Sequence, residues 1–547
     1  MTARLYASLD RVIDRLGFEL GDQLTYPGIY RGSPLNVSPV VIEQGGKISA
    51  VVSEADSDAC RVMTPGVTAE SYGRYFSWDR DMSAPVTSFA QAVRKITGPE
   101  AIACEATLPV SRYEMLADSG PVTLFDLPDS AELFVYRKTR SDIEALWIAT
   151  RDADAARFAP FVAGLRNGDA LVAAMTAHNR GFAPLDALCR ERGFQALYVT
   201  AAHEVEMFTG LPSAVIEQYG ISALFNPDET TILLLSARAI DGVGFAPAGR
   251  ADGLAAALLA TGAQRIGFQK DHLATGIYLP LAEAELELED AAYVLRRWQD
   301  RRAGDDLVYF IFAANAVLKG ISAARALLTR NAEGKLTERD LVAVYHQAVR
   351  RFARRYGFEN RVSSYFDIVH SGARTLLPAT AGDYPVSTRD KTIKFDMGLM
   401  VADAFGCLRG CSDIARTICA DSEIEALHDR LRTILVDELI PAIRPGMTGQ
   451  EVHAVGVDCL RPLEADLRRL GLLPEGMNVD SYLRDCGHTI QRQTISSVYF
   501  LPGVTETIEE GMLGCTEYVW PIGEILIAIE DGYLVTESGA IPFTAEA

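Results

Sequence analysis

Residues 529–539 read Ile-Glu-Asp-Gly-Tyr-Leu-Val-Thr-Glu-Ser-Gly and close the longer run YVWPIGEILIAIEDGYLVTES, which begins at Tyr518. Apolar and β-branched stretches flank a turn signal at Pro521 and Gly523, so the run predicts an antiparallel hairpin. One arm carries Glu530, and Glu517 stands at the start of the other. Upstream, three more ligand-type residues occur in order: His488 in CGHTI, Asp413 in CSDIART and Asp396 in FDMG. Four carboxylates and one imidazole can hold two hard-to-borderline divalent ions side by side. Such a pair of ions activates water at neutral pH.

The segments around these residues read as strands. KTIKFDMGLMV (391–401) and CSDIARTICA (411–420) are expected to be antiparallel neighbours, which would hold ligands more rigidly than loops do. Ahead of them, Leu307, Phe310, Ile311, Ala314, Val317, Leu318 and Ile321 recur at helical spacing and predict a helix with one apolar face. It should stop in NAEGK near Gly334, and Thr337 should cap a second helix. A later stripe, Ile424, Leu427, Leu431, Ile434, Leu435 and Leu439, stops at RPGMTGQEV, where Thr448 caps another helix. GKLTERDLVAVYHQAVRRF thus echoes PGMTGQEVHAVGVDCLRPL, a weak repeat that suggests two related halves with pseudo-twofold symmetry.

Further upstream the chain alternates strand-like pieces (SPVVIEQ, KISAVVS and EAIACEA, then ALYVTA, TTILLLS and RIGFQ) with helical ones, which places it in the α/β class. The expected division is 1–165, 166–303 and 304–547. The chain has 547 residues, room for about three or four domains by length alone.

A net charge of −21 and the lack of a basic stripe argue against nucleic acid as a partner. No apolar run reaches the ~18 residues that span a bilayer, and the N-terminus lacks the uninterrupted apolar core of a signal peptide, so no membrane partner and a cytoplasmic location are expected. Nine cysteines, an odd count without a CxxC pair, fit a reducing compartment. Cys407, Cys411 and Cys419 read as small buried groups, since zinc-type spacing is missing. His203, His272, His346, His428 and His453 read as surface or helix residues outside the ligand set, and Tyr518 and Trp520 as strand packing. Dinucleotide, P-loop and nucleophile-elbow motifs are missing from the sequence.

At this point the chain resembles a known family, the pita-bread metallohydrolases that include Xaa-Pro aminopeptidase, prolidase, methionine aminopeptidase and creatinase. The resemblance rests on FDMG, Ser412 to Thr417, Gly487 to Gln491, Gly511 to Glu517 and Ile529 to Gly539. FQALYVTAAHEVEMFTGLP and YRKTRSDIEAL resemble the non-catalytic creatinase-type domain and the linker that closes it. What it implies is a C-terminal pita-bread catalytic domain behind two creatinase-type α/β domains. It also implies two divalent ions on Asp396, Asp413, His488, Glu517 and Glu530, with Glu517 doubling as proton acceptor. Manganese is the expected ion, with iron, cobalt and zinc as alternatives, and a homodimer is the expected assembly.

The chain also departs from the family pattern. Ala379 and Ile495 (followed by Ser496) stand where the family has active-site histidines, Ala528 replaces an arginine before the final glutamate, and Gln491 replaces a glycine. The interval from Asp396 to Asp413 is long, and Asp403 inside it is an alternative first ligand. His370, Gln491, Arg492 and Gln493 are the polar groups offered nearby by sequence, and His370 is the expected substrate contact, although a satisfied strand histidine is the plainer reading. The expected function is therefore hydrolysis of a small amide, amino-acid-like or guanidino-like compound. General Xaa-Pro peptides are disfavoured. A lyase or oxidative enzyme on the same site, or a non-catalytic binding protein, are the alternatives.

Overall fold

The structure, a computed structural model, describes the chain except residues 1, 17–38, 54–59, 61–63, 65, 74–85, 129–131, 241–243, 285, 331–334, 377–380, 387–391, 420, 484, 493–496, 523–524 and 545–547. Ala379, Gln493, Ile495, Ser496, the expected helix stop at Gly334 and the hairpin turn at Gly523 therefore lie outside the described residues. The chain forms two compact units: Met1–Glu144 with Leu185–Val294, and Ala145–Pro184 with Leu295–Ala547.

The first unit contains two mixed sheets. In the six-stranded sheet the order runs Thr68–Tyr72, Lys47–Ser53, Val40–Gln44, Ala3–Tyr6, Ile102–Glu105 and Val122–Phe125. The seven-stranded sheet is built from Ala246–Ala251, Leu133–Thr139, Thr231–Ser236, Ser222–Phe225, Ala196–Val199, Arg265–Phe268 and Glu287–Asp290. Central strands such as Ala196–Val199 are buried along their whole length, as expected where helices cover both faces. The chain changes sheets between Phe125 and Leu133, ahead of residue 165, and the linker-like YRKTRSDIEAL is the end of a strand running into the helix Arg140–Val162.

The second unit repeats one plan twice. A long helix, Leu307–Arg330, is followed by the capped helix Glu338–Tyr356 and a three-stranded antiparallel sheet of Val362–Ser371, Thr392–Ala402 and Leu408–Cys419. Then come the helix Ser422–Ile434, the capped helix Gly449–Leu460 and a four-stranded antiparallel sheet of Gly487–Ile490, Leu513–Ile522, Ile525–Thr536 and Gly539–Pro542. Thr337 and Thr448 cap as the sequence suggests, each in a reciprocal box with Asp340 or Glu451.

Two expectations needed correction. The long helix does not have one apolar face: every residue from Leu307 to Leu318 is buried, because helix and sheet cover it on several sides. Gly320 lets the Tyr345 ring approach so closely that a Cβ there would sit 2.2 Å from the ring. By length and composition the helical run Ala292–Arg330 could cross a membrane, but 83% of its most apolar window is buried within the protein, the signature of a core helix. The second stripe is also not one regular helix. It passes through a π-helical turn at Leu435–Leu439, which keeps Leu435 and Leu439 in the core.

The strand Thr392–Ala402 shows how alternation builds the site. Ile393, Phe395, Met397, Leu399 and Val401 point into the main core beside the long helix. The intervening Lys394, Asp396 and Gly398 therefore share the opposite face.

Candidate metal centre

Gly398 pairs directly with Asp413 across the first hairpin, so Asp413 lies diagonal to Asp396 on the same face. A Cβ at Gly398 would meet the Phe366 ring at 2.4 Å, which explains why glycine follows Asp396 by two. In the second hairpin Glu517 pairs directly with Glu530. Like charges directly opposite one another destabilise a sheet unless a cation joins them. His488 pairs with Cys515, two residues before Glu517, and so shares that face.

The two sheets meet along Leu408–Cys419 and Ile525–Thr536. The Thr417 hydroxyl donates to the Ala528 carbonyl and accepts from its N–H, both at 2.9 Å. Arg416 donates to the Glu530 carbonyl at 2.5 Å and to the Asp531 carboxylate at 2.7 Å. These bonds hold the Glu530 backbone while leaving its carboxylate free to face Asp413.

Asp413, His488 and Glu530 offer ligand atoms that all lie within 4.8 Å of one another, the one such set among the described residues. Ligand atoms ~2 Å from a shared ion sit roughly 3–4 Å apart, so a small contraction would close the set. The His488 Nδ1–H donates to the Thr489 carbonyl at 2.8 Å, which leaves the Nε2 lone pair facing Asp413 at 3.9 Å. The Glu530 Oε1 is buried without a hydrogen-bond partner. Burial pushes the Asp413 and Glu530 carboxyls well above the usual range; Asp396 adds to the rise at Asp413 and a hydrogen bond with Glu530 opposes it, while Asp413 adds to the rise at Glu530. A buried cluster of carboxyls with an orphaned Glu530 oxygen and an aimed imidazole nitrogen fits a divalent cation.

Asp396 occupies the same face but has another neighbour: Lys394 Nζ lies 4.0 Å from its Oδ2. Burial raises the Asp396 carboxyl, while Lys394 and His370 pull it back. Burial lowers the Lys394 amine, against the pull of Asp396 and Glu517. Sequence reading missed Lys394, although its signal is plain: K-x-D on a strand puts both side chains on one face.

Asp403 belongs to the turn after this strand. Its carboxylate accepts from the Phe405 and Cys407 N–H groups at 2.9 and 3.1 Å and from Arg409 at 3.1 Å. His370 is fully buried, with Nδ1 3.1 Å from Glu338, whose carboxylate also takes two bonds from Arg374. Gln491 and Arg492 are buried just after the His488 strand. His428 and His453 are helix residues, one of the two placements the sequence suggests, with their rings turned inward: the His428 ring accepts from the Thr417 N–H, and the His453 ring meets the Leu483 carbonyl. Cys411 and Cys419 pack with core residues, and none of the nine cysteines forms a disulfide.

Gly487 leaves no room for a side chain. Its φ is +125°, and a Cβ would stand 2.1 Å from the Cys515 carbonyl oxygen. Gly487→Ala is therefore expected to cost at least about 2 kcal/mol and to displace His488. Thermal unfolding and metal content, measured together, should both fall; an unchanged metal content would show that His488 is not held by this strand.

A second residue invisible to sequence reading lies behind the centre. Asp300 is fully buried and accepts from the Ser497 N–H at 2.7 Å, the Ser497 hydroxyl and the Thr489 hydroxyl. Its other oxygen is without a partner, and burial raises its carboxyl from 3.8 to about 6. An acid with a raised native pKa contributes stability that is present below the unfolded value and lost as pH rises through the native one. Asp300→Asn should thus gain on the parent above pH ~6, by up to about 3 kcal/mol, and the gain should vanish near pH 4. A difference in melting temperature that does not vary with pH would rule this out.

Residues 312–537 match the model of metallopeptidase family M24. Among solved structures, the prolidase of Pyrococcus horikoshii OT3 is similar at 17% identity, over 67% of this chain and 99% of that one, with a TM-score of 0.50. The prolidase of Pyrococcus furiosus matches at 16% identity, over 66% and 99%, also with a TM-score of 0.50. A dipeptidase of Pyrococcus horikoshii OT3 matches at 18%, over 67% and 98%, with a TM-score of 0.50. No curated protein matches the sequence. At these identities the likeness is one of fold: mixed α/β, with a pita-bread domain at the C-terminal end.

Proposed function

We propose, from the premise that residues 312–537 belong to metallopeptidase family M24, that this protein is a divalent-metal-dependent hydrolase. Asp396, Asp413, His488, Glu517 and Glu530 would hold the ions, two at full occupancy, with manganese the expected metal. The observation that carries this is the convergence of Asp413, His488 and Glu530 around an unpartnered buried oxygen. Divalent ions in such a site polarise a carbonyl and lower the pKa of water. The chain's own contributions are positional. The Nδ1–H bond to Thr489 fixes the imidazole tautomer, Arg416 and Thr417 lock the Glu530 strand, and Glu517 faces Glu530 where it can take a proton.

The substrate in this reading is a small amide, amino-acid-like or guanidino-like compound. Support comes from the replacements at Ala379, Ile495 and Ala528, which remove side chains the family uses around its peptide substrates. The prolidase likeness keeps dipeptides in the comparison. A cytoplasmic homodimer completes the reading. The test is hydrolysis of matched panels of small amides, guanidino compounds and Xaa-Pro dipeptides with Mn²⁺ added. Chelator-sensitive turnover of the small compounds, absent in Asp413→Asn, is the expected result. Faster turnover of Xaa-Pro dipeptides would overturn the substrate assignment, and no chelator-sensitive hydrolysis of any panel would overturn the hydrolase.

A further inference from the structure

We infer that a groove among three helices of the second unit is a binding site for a small amphipathic anion, an aromatic carboxylate. The groove holds about 790 Å³ and is bounded by the end of the helix Arg140–Val162 with the turn after it, the helix Leu307–Arg330 and the helix Glu338–Tyr356. That volume lies in the range of small-molecule sites. None of its lining residues is among the proposed metal ligands, so the inference stands apart from the reading above.

The space exists because short side chains meet there. Gly164, Ala323 and Ala348 leave it unfilled, while Phe161, Phe352 and Tyr356 stand beside it, all three only half-buried. Their rings form one cluster: Phe161 and Phe352 meet edge to face with centroids 5.3 Å apart, and Phe352 and Tyr356 do so at 5.0 Å. An aromatic body entering the groove would extend this cluster in the same geometry. Lys319, Arg351 and Arg355 line the same groove and are exposed. Ala348, Arg351, Phe352 and Arg355 recur at i, i+3, i+4 and i+7, which puts cations and aromatic ring on one helix face. Among the described residues none of the three cations has a carboxylate at ion-pair distance: Arg351 turns back to Gln347, and Arg355 lies 5.6 Å from the centre of the Tyr356 ring. On the same helix Arg339 and Arg354 are paired, with Asp383 and Glu359. In a chain with 73 acidic and 52 basic residues, three neighbouring cations without a carboxylate are a charge that an anion completes.

The net charge of −21 also selects the size of the occupant. Nucleic acid or an anionic membrane would extend past the groove and meet repulsion from the rest of the surface. A small anion inside it feels chiefly the charges within a Debye length of about 10 Å. Its aromatic body would rest against Phe161, Phe352 and Tyr356, and its carboxylate would meet Arg351 and Arg355, with Lys319 on the neighbouring helix.

The test is isothermal titration calorimetry of the full chain with naphthalene-2-carboxylate, its uncharged carboxamide and acetate. The carboxylate should bind at about 1 mM or tighter, and the carboxamide and acetate at least about tenfold more weakly. The double variant Arg351→Gln/Arg355→Gln should keep the parent's melting temperature and lose at least about tenfold in binding. Ala348→Phe, which fills the groove, should abolish binding. Asp413→Asn should bind as the parent does, which separates this site from capture of the carboxylate by the metal centre. Absence of binding in the parent, equal binding of the carboxamide, unchanged binding in the double variant, or loss of binding in Asp413→Asn would overturn the proposal. So would tighter, arginine-dependent binding of poly-L-glutamate, which would give the groove to an acidic macromolecule. A change of association state in Ala348→Phe by sedimentation would give it to a second copy of the chain and would overturn the proposal equally.

Discussion

Glu530→Gln is expected to change stability in opposite directions with and without metal. In chelator-treated protein the native state holds a proton on the Asp413–Glu530 pair more tightly than the unfolded chain does, because both carboxyls are buried and face each other. Stability from that proton is present at low pH and is lost as pH rises through the raised native value. Glutamine mimics the protonated acid and escapes the loss, so above neutral pH the metal-free variant should match or exceed the parent, by about 1–3 kcal/mol. With metal the order reverses. An ion at ~1,000 times its dissociation constant adds about 4 kcal/mol to the parent. Removing a ligand should weaken binding by at least ~100-fold, beyond what outer partners of a ligand contribute. Denaturant unfolding at pH 8, with chelator and with saturating Mn²⁺, reads both terms. A variant equally destabilised in both conditions would mean that Glu530 serves packing.

The second large effect lies at Arg409, away from the metal ligands. This guanidinium is 3% exposed and is bonded to Asp306, to Asp403 at 3.1 Å and to the Thr150 hydroxyl at 2.8 Å. Against burial, which would raise it, Arg409 and Arg302 hold the Asp306 carboxyl below the usual range. Arg409→Met keeps the apolar stem but leaves two buried carboxylates short of their main counter-charge. The expected loss is about 3–5 kcal/mol, or roughly 3–8 °C in melting temperature. The exposed pair Arg461–Asp480 provides the contrast, and Arg461→Ala should leave the melting temperature essentially unchanged. A fall below ~1 kcal/mol for Arg409→Met would show that water solvates the cluster.

Much of the C-terminal unit is legible in the sequence because strand alternation is strict there. Ile393, Phe395, Met397, Leu399 and Val401 mark one face of a strand and hand the other to Lys394, Asp396 and Gly398. The threonine caps are legible for the same local reason, since Thr337 and Asp340 complete each other within four residues. What escapes the sequence is long-range. Asp300 meets Thr489 and Ser497 across nearly 200 residues, and local pattern carries no trace of it. The burial of the whole Leu307–Leu318 stretch depends on what packs around it, so an apolar stripe understates it. The choice between Asp396 and Asp403 turned on register: Gly398 pairs with Asp413, whereas Asp403 is taken up by its own turn and by Arg409. The sheet change ahead of Leu133 was hidden because that strand joins partners nearly a hundred or more residues downstream.

The central claim is that this fold holds a divalent cation on Asp413, His488 and Glu530. The most direct test is the metal content of protein purified without chelators, measured per chain beside His488→Ala. At least one transition-metal ion in the parent, largely lost in the variant, is the expected result. Metal-free protein that stays empty after incubation with Mn²⁺ would contradict the claim and leave the fold as a binding scaffold.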